Sequence, residues 1–464
     1  MVLCAFLLTS AYWLYLLITS QMLIVQDAVP YHKLGVLLHD EGWAAYFVTG
    51  PNREPLYPFL IAVSMKISEW TLLRWDSIQK IVQCLFLLNT QILMLTALRR
   101  INAHRYLTAF FILYIGISPS LVSCAFSLYS EIASILWPLG IVLLSGYCWT
   151  NMAGLGRSRC FYLGMLMALL FVCLTFVKGI FEMVTTIYMS IFWVRAIMAL
   201  KRRDRAVFYN LAVFLLTFSF FYYGLTTSYK FLNKSYNKQF TITDRGPRTF
   251  YSAATERTEP LNWGKLPAYL STIPGNEFCF SSFDRPSCLY WSTFKQDGIG
   301  GDEIHALDLQ GITGDEANRK LMDMGIKRVL LKPVHYFFFT FLEASRIFFW
   351  ESTHTGFVVY PRWLEDLYGF PLFSKGISIL TGVLMACSFY HLMAKARTYW
   401  GKGLDEGSAL IFFSAWMILI FISLLSMCSL ILERYLLTLA PLYIIVMAYF
   451  LNGIIGKYGR VKTI

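Results

Sequence analysis

The chain has 464 residues, of which 57% are hydrophobic, 17% aromatic and only 15% charged, with a formal net charge of +12. A soluble protein of this length carries more charge, so the composition excludes an ordinary soluble domain and predicts an all-α polytopic membrane protein. The positive charge alone would suit nucleic acid, but its placement, described next, excludes that partner.

In chain order, apolar runs cover 2–25, 78–98, 106–119, 122–148, 160–177, 180–199, 206–227, 372–393, 408–430 and 435–454. Most reach about 18 residues, enough to cross the hydrocarbon core, which predicts about ten spans. The third is short and leaves at Ser118-Pro119, as a tilted or partly spanning segment would. The first has no basic start and no small-residue cleavage site, so it reads as a retained span rather than a removed signal.

With the N-terminus in the cytoplasm, the connections 99–105, 149–160, 200–206, 394–407 and 455–464 lie inside. They carry the entire basic excess against only Asp204, Asp405 and Glu406, and the remaining chain is neutral. This positive-inside bias predicts cytoplasmic termini and places the polar segments 26–76, 118–131 and 228–371 outside. The chain then divides into a membrane module 1–227 with a catalytic first outer loop, a small α+β extracytoplasmic domain 228–371, and a membrane module 372–464.

In the first outer loop, Tyr31 to Val48 places Leu34, Leu37, Leu38 and Ala45 at helical spacing, and Leu56 to Trp70 repeats the pattern after Pro55. Both are expected as amphipathic helices in the interface, with Trp43, Tyr46, Trp70 and Trp75 at headgroup depth. In 228–371, Pro274-Gly275 precedes a strand-like run, Glu277 to Phe280. Asp315 to Val334 reads as a helix, Lys332-Pro333 breaks it, and Tyr336 to Trp350 follows as an aromatic helix lying on the membrane. Cys279 and Cys288 either pair in an oxidising compartment or stay free. Asn233-Lys234-Ser235 is a glycosylation sequon in a secretory-pathway host. His32, His39, His305, His335 and His354 never approach a metal-ligand spacing, so a dedicated zinc site is not expected.

The charges beside the spans carry the chemistry. Asp27, where the first span meets the outer loop, is either a general base whose pKa burial brings toward working pH, or a solvated helix-end carboxylate. Arg53, just before the helix at Leu56, can hold a phosphate bidentately or anchor at the interface. Glu54 reads as a first-turn helix charge. Glu131, in Tyr129-Ser130-Glu131, is a second acid, a metal ligand, an orienting group or a plain helix-start charge. Lys178 is spaced to pair with Glu182 four residues on, or to face a lipid phosphate. Glu433-Arg434-Tyr435, between two apolar runs and at the depth of Asp27, suits an anionic headgroup with Arg434 as its clamp.

Together, these features resemble the integral-membrane GT-C glycosyltransferases, most closely the branch of the protein mannosyltransferases and aminoarabinose transferases. The likeness rests on Asp27, on Arg53-Glu54-Pro55-Leu56-Tyr57-Pro58, on Glu131, on Lys332-Pro333 before an aromatic stretch, and on Glu433-Arg434-Tyr435 with Pro441. It implies a GT-C-like helical bundle and an inverting transfer from a sugar linked to polyprenyl phosphate, to a hydroxyl on a glycan, lipid or protein acceptor. Asp27 would be the base, with Glu131 as a second acid. Arg53, Lys178 and Arg434 would meet the donor phosphate, supported by Glu54, Tyr57, Glu433 and Tyr435. The likeness implies no particular cofactor and leaves a divalent metal open. The chain departs from the protein mannosyltransferases in lacking an adjacent Asp-Glu pair, since Ala28 follows Asp27, which leaves a protein acceptor open. The span number is similar to that of a compact member of a bacterial inner membrane. Two other readings remain at this stage: an O-antigen polymerase or ligase relying on His305, His335 and Arg328, and a lipid or solute transporter. The near absence of charge at the span centres speaks against transport.

Overall fold

The structure, a computed structural model, describes residues 1–273, 276–290, 299–351, 357–400, 404–428 and 433–461. Pro274-Gly275 and His354 therefore lie outside the described residues. Among those described, nine helices are long and apolar enough to span a membrane: Val2–Thr19, Trp75–Arg100, Glu131–Gly154, Arg157–Val177, Phe181–Lys201, Arg205–Asn237, Leu372–Lys395, Glu406–Cys428 and Arg434–Ile455. Arg105–Ile117 and Pro119–Phe126 add a tenth crossing if counted as one, bent by 41°. Pro119 lacks the N–H that would continue the ladder, and Ser118 caps the new helix by accepting from the Leu121 amide at 3.4 Å. The fourth run, expected from residue 122, is thereby split: its first part belongs to the bent pair and the span proper begins at Glu131.

Apolar spans have little hydrophobic incentive to associate inside lipid, so close backbone approach and polar contacts hold the bundle. A Cβ on Gly116 would lie 2.0 Å from Thr9 Cγ2, and one on Gly164 would lie 2.5 Å from the Phe214 carbonyl oxygen. Trp13 Nε1 donates to the Gly116 carbonyl at 2.7 Å beside the first of these contacts. The core centres on Glu131–Gly154 and Glu406–Cys428, each 67% buried, whereas Val2–Thr19 is only 22% buried and lies at the edge.

The first span stops at Thr19, short of the expected residue 25, because Gln21–Met22 pairs antiparallel with Val358–Val359. This two-residue ladder holds the only strands among the described residues, and it ties the start of the first loop to the end of the long segment 228–371. The amphipathic stretch Tyr31 to Val48 is two helices, Ala28–Asp40 and Gly42–Val48, because Gly42 turns the chain with φ +81°. Leu56–Trp70 forms as expected. Trp43 and Trp70 are exposed, but Tyr46, expected at headgroup depth, is buried.

Apart from the strand Val358–Val359, the described part of the long segment is mainly short helices joined by turns. Glu277 to Phe280, expected as a strand, lies instead in the helix Asn276–Phe280, where the disulfide Cys279–Cys288 closes a small knot against Ala268. Gly314–Leu331 buries Leu321 against Tyr251, and Lys332-Pro333 breaks the chain before Pro333–Ala344. That aromatic helix ends earlier than expected, since Arg346 donates to the Thr272 carbonyl at 2.7 Å and turns the chain aside. Asn233 of the sequon is buried and donates to the Thr241 carbonyl at 2.7 Å, so as folded it offers no free amide.

Candidate active site

Asp27 is presented by a strained turn. Gln26 adopts φ +50°, uncommon for a residue with a Cβ, and the Ala28 and Val29 amides donate back to the Val25 and Gln26 carbonyls at 3.0 and 3.1 Å. Asp27 occupies the N-cap position of Ala28–Asp40 yet makes no capping bond with its side chain. One carboxylate oxygen accepts instead from Arg53 Nη2 at 2.7 Å, and the other accepts from Arg434 Nη2. The first loop and the last span thus meet on one carboxylate.

Each guanidinium is fixed from behind. Tyr46 donates to the Arg53 carbonyl at 3.0 Å, and the Arg53 guanidinium stacks 4.8 Å from the Tyr31 ring centre. Tyr31 packs edge-on against Tyr57, whose hydroxyl donates to Gln83 Oε1 at 2.6 Å, so Tyr57 supports the ring from the helix Leu56–Trp70. Arg434 lies between the rings of Tyr129 and Tyr435, at 5.1 and 5.4 Å.

Beside this clamp, Lys178 Nζ donates to Glu131 Oε1 at 2.7 Å, and Glu131 is only 2% exposed. The expected Lys178–Glu182 pair does not form. The helix Arg157–Val177 ends before Lys178, whose extended backbone (φ −143°) removes the i,i+4 geometry, and Glu182 pairs with Lys230 instead. Lys178 also faces the Tyr435 ring at 5.3 Å. Glu54 Oε1 accepts from the Gly179 amide at 2.9 Å, joining Arg53's loop to Lys178's turn rather than serving its own helix. Tyr31 and Ser130 share a hydroxyl hydrogen bond of 3.0 Å. Glu433 opens the short helix Glu433–Leu436, and its side chain lies outside the described residues.

The electrostatics correct one expectation. Burial raises the Asp27 carboxyl, but Arg434 and Arg53 overcome it and hold the group below the ordinary carboxylate range. Burial likewise opposes the charge on Arg53 and Lys178. Tyr31 and Asp27 outweigh that for Arg53, and Glu131 does so for Lys178, so both stay cationic. Among the described residues, Glu131 Oε2, Arg434 Nε and the Tyr129 hydroxyl are buried without a hydrogen-bond partner. A donor, an acceptor and a hydroxyl left open beside a two-guanidinium clamp can receive a polar, anionic ligand.

The structure thus brings Asp27, Arg53 and Arg434 into contact, with Glu131, Lys178, Glu54, Tyr57 and Tyr435 around them. His305, His335 and Arg328 belong to the long segment, where Arg328 donates to the Tyr251 hydroxyl at 3.2 Å. Among the described residues no three of His, Cys, Asp or Glu are grouped so as to hold a metal ion.

Sequence reasoning missed Tyr31, Tyr129 and Asp244. The first stands four residues after Asp27 on the same helix, a spacing that would have shown it, and the second is in the motif around Glu131. Asp244 gives no such signal. Its amide donates to the Pro51 carbonyl at 3.0 Å, and burial pushes its carboxyl up to about 6 despite the pull of Arg248 and Arg53. Comparison of the chain with protein-family models, with curated proteins and with solved structures finds no match.

Proposed function

We propose that the protein is a glycosyltransferase that moves a sugar from a polyprenyl-phosphate donor to an acceptor hydroxyl on the extracytoplasmic face, with inversion at the anomeric carbon. One observation carries the reading: the Asp27 carboxylate is gripped by Arg53 and Arg434, from opposite ends of the chain, at the end of the bundle away from the basic connections. A guanidinium pair that holds a carboxylate can hold a phosphate in its place, with stronger charge-assisted bonds. The positive-inside bias sets that end outside, in keeping with a multi-pass protein of a bacterial inner membrane.

The chemistry then follows in order. The donor phosphate takes over Arg53 and Arg434, with Lys178 near by, and releases Asp27 from its counter-ions. Freed of both cations, the half-buried carboxylate becomes a stronger base. It accepts the proton of the acceptor hydroxyl as that oxygen attacks the anomeric carbon. The bond from that carbon to the phosphate oxygen breaks, and polyprenyl phosphate leaves with the electron pair. The guanidiniums stabilise the charge growing on the leaving group, a preorganised electrostatic role. Glu131 keeps Lys178 in position rather than touching the reacting atoms.

The full chain in lipid nanodiscs is to be incubated with single-sugar polyprenyl phosphates and a crude envelope glycolipid acceptor, with release of polyprenyl phosphate as readout. Asp27→Asn should lower that release by about 100-fold or more. Equal release by Asp27→Asn, or turnover only of polyprenyl-diphosphate oligosaccharides, contradicts the proposal.

A further inference from the structure

A cavity of about 360 Å³ is lined by residues close along the chain to Asp27 and shares none of the clamp's residues. Its size falls within the range of small-molecule sites, roughly 300–1,000 Å³. One wall is the chain from Gln21 to Ile24, which leads into Asp27, and His32 contributes from the helix that Asp27 begins. Ile24 stands three positions before Asp27, at most about 11 Å of chain.

The far wall is Arg74, Trp75 and Asp76, at the start of the span Trp75–Arg100. Arg74, itself largely exposed, donates to Asp76 through Nε at 3.1 Å and through Nη2 at 3.2 Å, so the wall carries one cation and one anion in balance. His32 packs against the Trp75 ring with centroids 5.1 Å apart, and burial lowers its affinity for a proton, which keeps the imidazole neutral. Behind the wall, buried Lys80 donates to the Ser20 carbonyl at 3.0 Å and fixes the strand end.

The two sites therefore differ in kind. The clamp offers guanidiniums to an anion; the cavity offers an indole, an imidazole, a carboxamide and one balanced Arg74–Asp76 pair. An aromatic ring among planar hydrogen-bonding groups suits the apolar C–H face and hydroxyl rim of a sugar, and the balanced ion pair offers no net charge to a phosphate. We infer that this cavity is a carbohydrate-binding subsite that holds the acceptor, with a hydroxyl directed toward Asp27. The inference deepens the proposed function and rests on it for the acceptor role, whereas sugar binding itself does not.

The test uses the full chain in nanodiscs, with a panel of methyl glycosides as probes and saturation-transfer NMR as the direct readout. At least one glycoside should bind saturably. Trp75→Ala should weaken it by about tenfold or more (~1.4 kcal/mol), while Trp75→Phe, which keeps an aromatic face, should retain most of it. Retention in Trp75→Phe separates loss of the ring from loss of the fold. Arg434→Gln should leave glycoside binding intact, and inorganic phosphate should not displace the sugar. In the transfer assay, Trp75→Ala should raise the acceptor KM and leave the donor KM unchanged. Glycoside binding that is absent, that survives Trp75→Ala, or that phosphate displaces overturns the subsite. Bound glycoside with no transfer from any donor would instead overturn the proposed reaction and leave the sugar site standing.

Discussion

Lys178 Nζ lies 2.7 Å from Glu131 Oε1, where the turn after one span meets the start of another, and the two side chains are 14% and 2% exposed. Charges so far from water repay their desolvation only through each other. Removing one partner strands the other, so Lys178→Met should destabilise the protein by about 3–5 kcal/mol. The double variant Lys178→Met/Glu131→Leu should recover most of that loss. Thermal unfolding in detergent is the measurement, and single and double variants of equal stability would count against a buried pair.

The clamp depends on guanidinium geometry as well as charge. Arg53 reaches Asp27 while stacking on Tyr31, a combination a lysine ammonium does not reproduce. Arg53→Lys should therefore lose on the order of 10- to 100-fold in transfer rate despite keeping its charge. Rates within about twofold of the parent would show a simple point charge to be enough.

Two carboxyls should set opposite pH trends. Asp27 has its folded pKa depressed by Arg434 and Arg53 against burial, so its stabilisation is present above its unfolded value and fades as pH falls through the lower folded value. Its ion pairs should thus persist at pH ~4, near the unfolded value. Asp244 is the reverse case, raised to about 6 by burial. It favours the fold when protonated, and that contribution is lost as pH rises from about 4 to about 6. Asp244→Asn should flatten the stability profile in this window, as followed by thermal unfolding across pH. A profile identical to the parent's would remove Asp244 as its source.

The first and third membrane segments touch closely at Gly116. A Cβ there would sit 2.0 Å from Thr9 Cγ2, and Trp13 donates to the same residue's carbonyl. Gly116→Ala should cost about 1–3 kcal/mol through overpacking, and Thr9→Ala in the same chain should relieve part of it. Unfolding midpoints of the single and double variants measure this coupling.

Much of this architecture is legible in the chain because lipid leaves few options. Long apolar runs must be helices, the basic connections alternate with the polar ones, and Ser118-Pro119 marks a break by its missing donor. The clamp was legible in its members, since Asp27 and Arg434 stand beside the ends of apolar runs and Arg53 just before a helix. Their contact was not, because nothing local links positions 27 and 434. Lys178 misleads for a related reason: its spacing to Glu182 implies a helix that the chain leaves one residue too early. Tyr46 reads as an interface aromatic because its spacing reports amphipathicity, while its hydroxyl is claimed by a carbonyl seven residues on. Asp244 is hidden altogether, because its environment comes from Pro51 and Arg53, in a loop nearly two hundred residues away.

Competition between Asp27 and a lipid phosphate for the same two guanidiniums can be measured without knowing the sugar or the acceptor. Binding of polyprenyl phosphate to the chain in nanodiscs is to be compared for the parent, Asp27→Asn and Arg434→Gln. Removing the resident carboxylate should tighten binding by about tenfold, and removing the arginine should weaken it by at least as much. Unchanged affinity in both variants, or weaker binding in Asp27→Asn, would mean that no phosphate exchanges with Asp27 at this clamp.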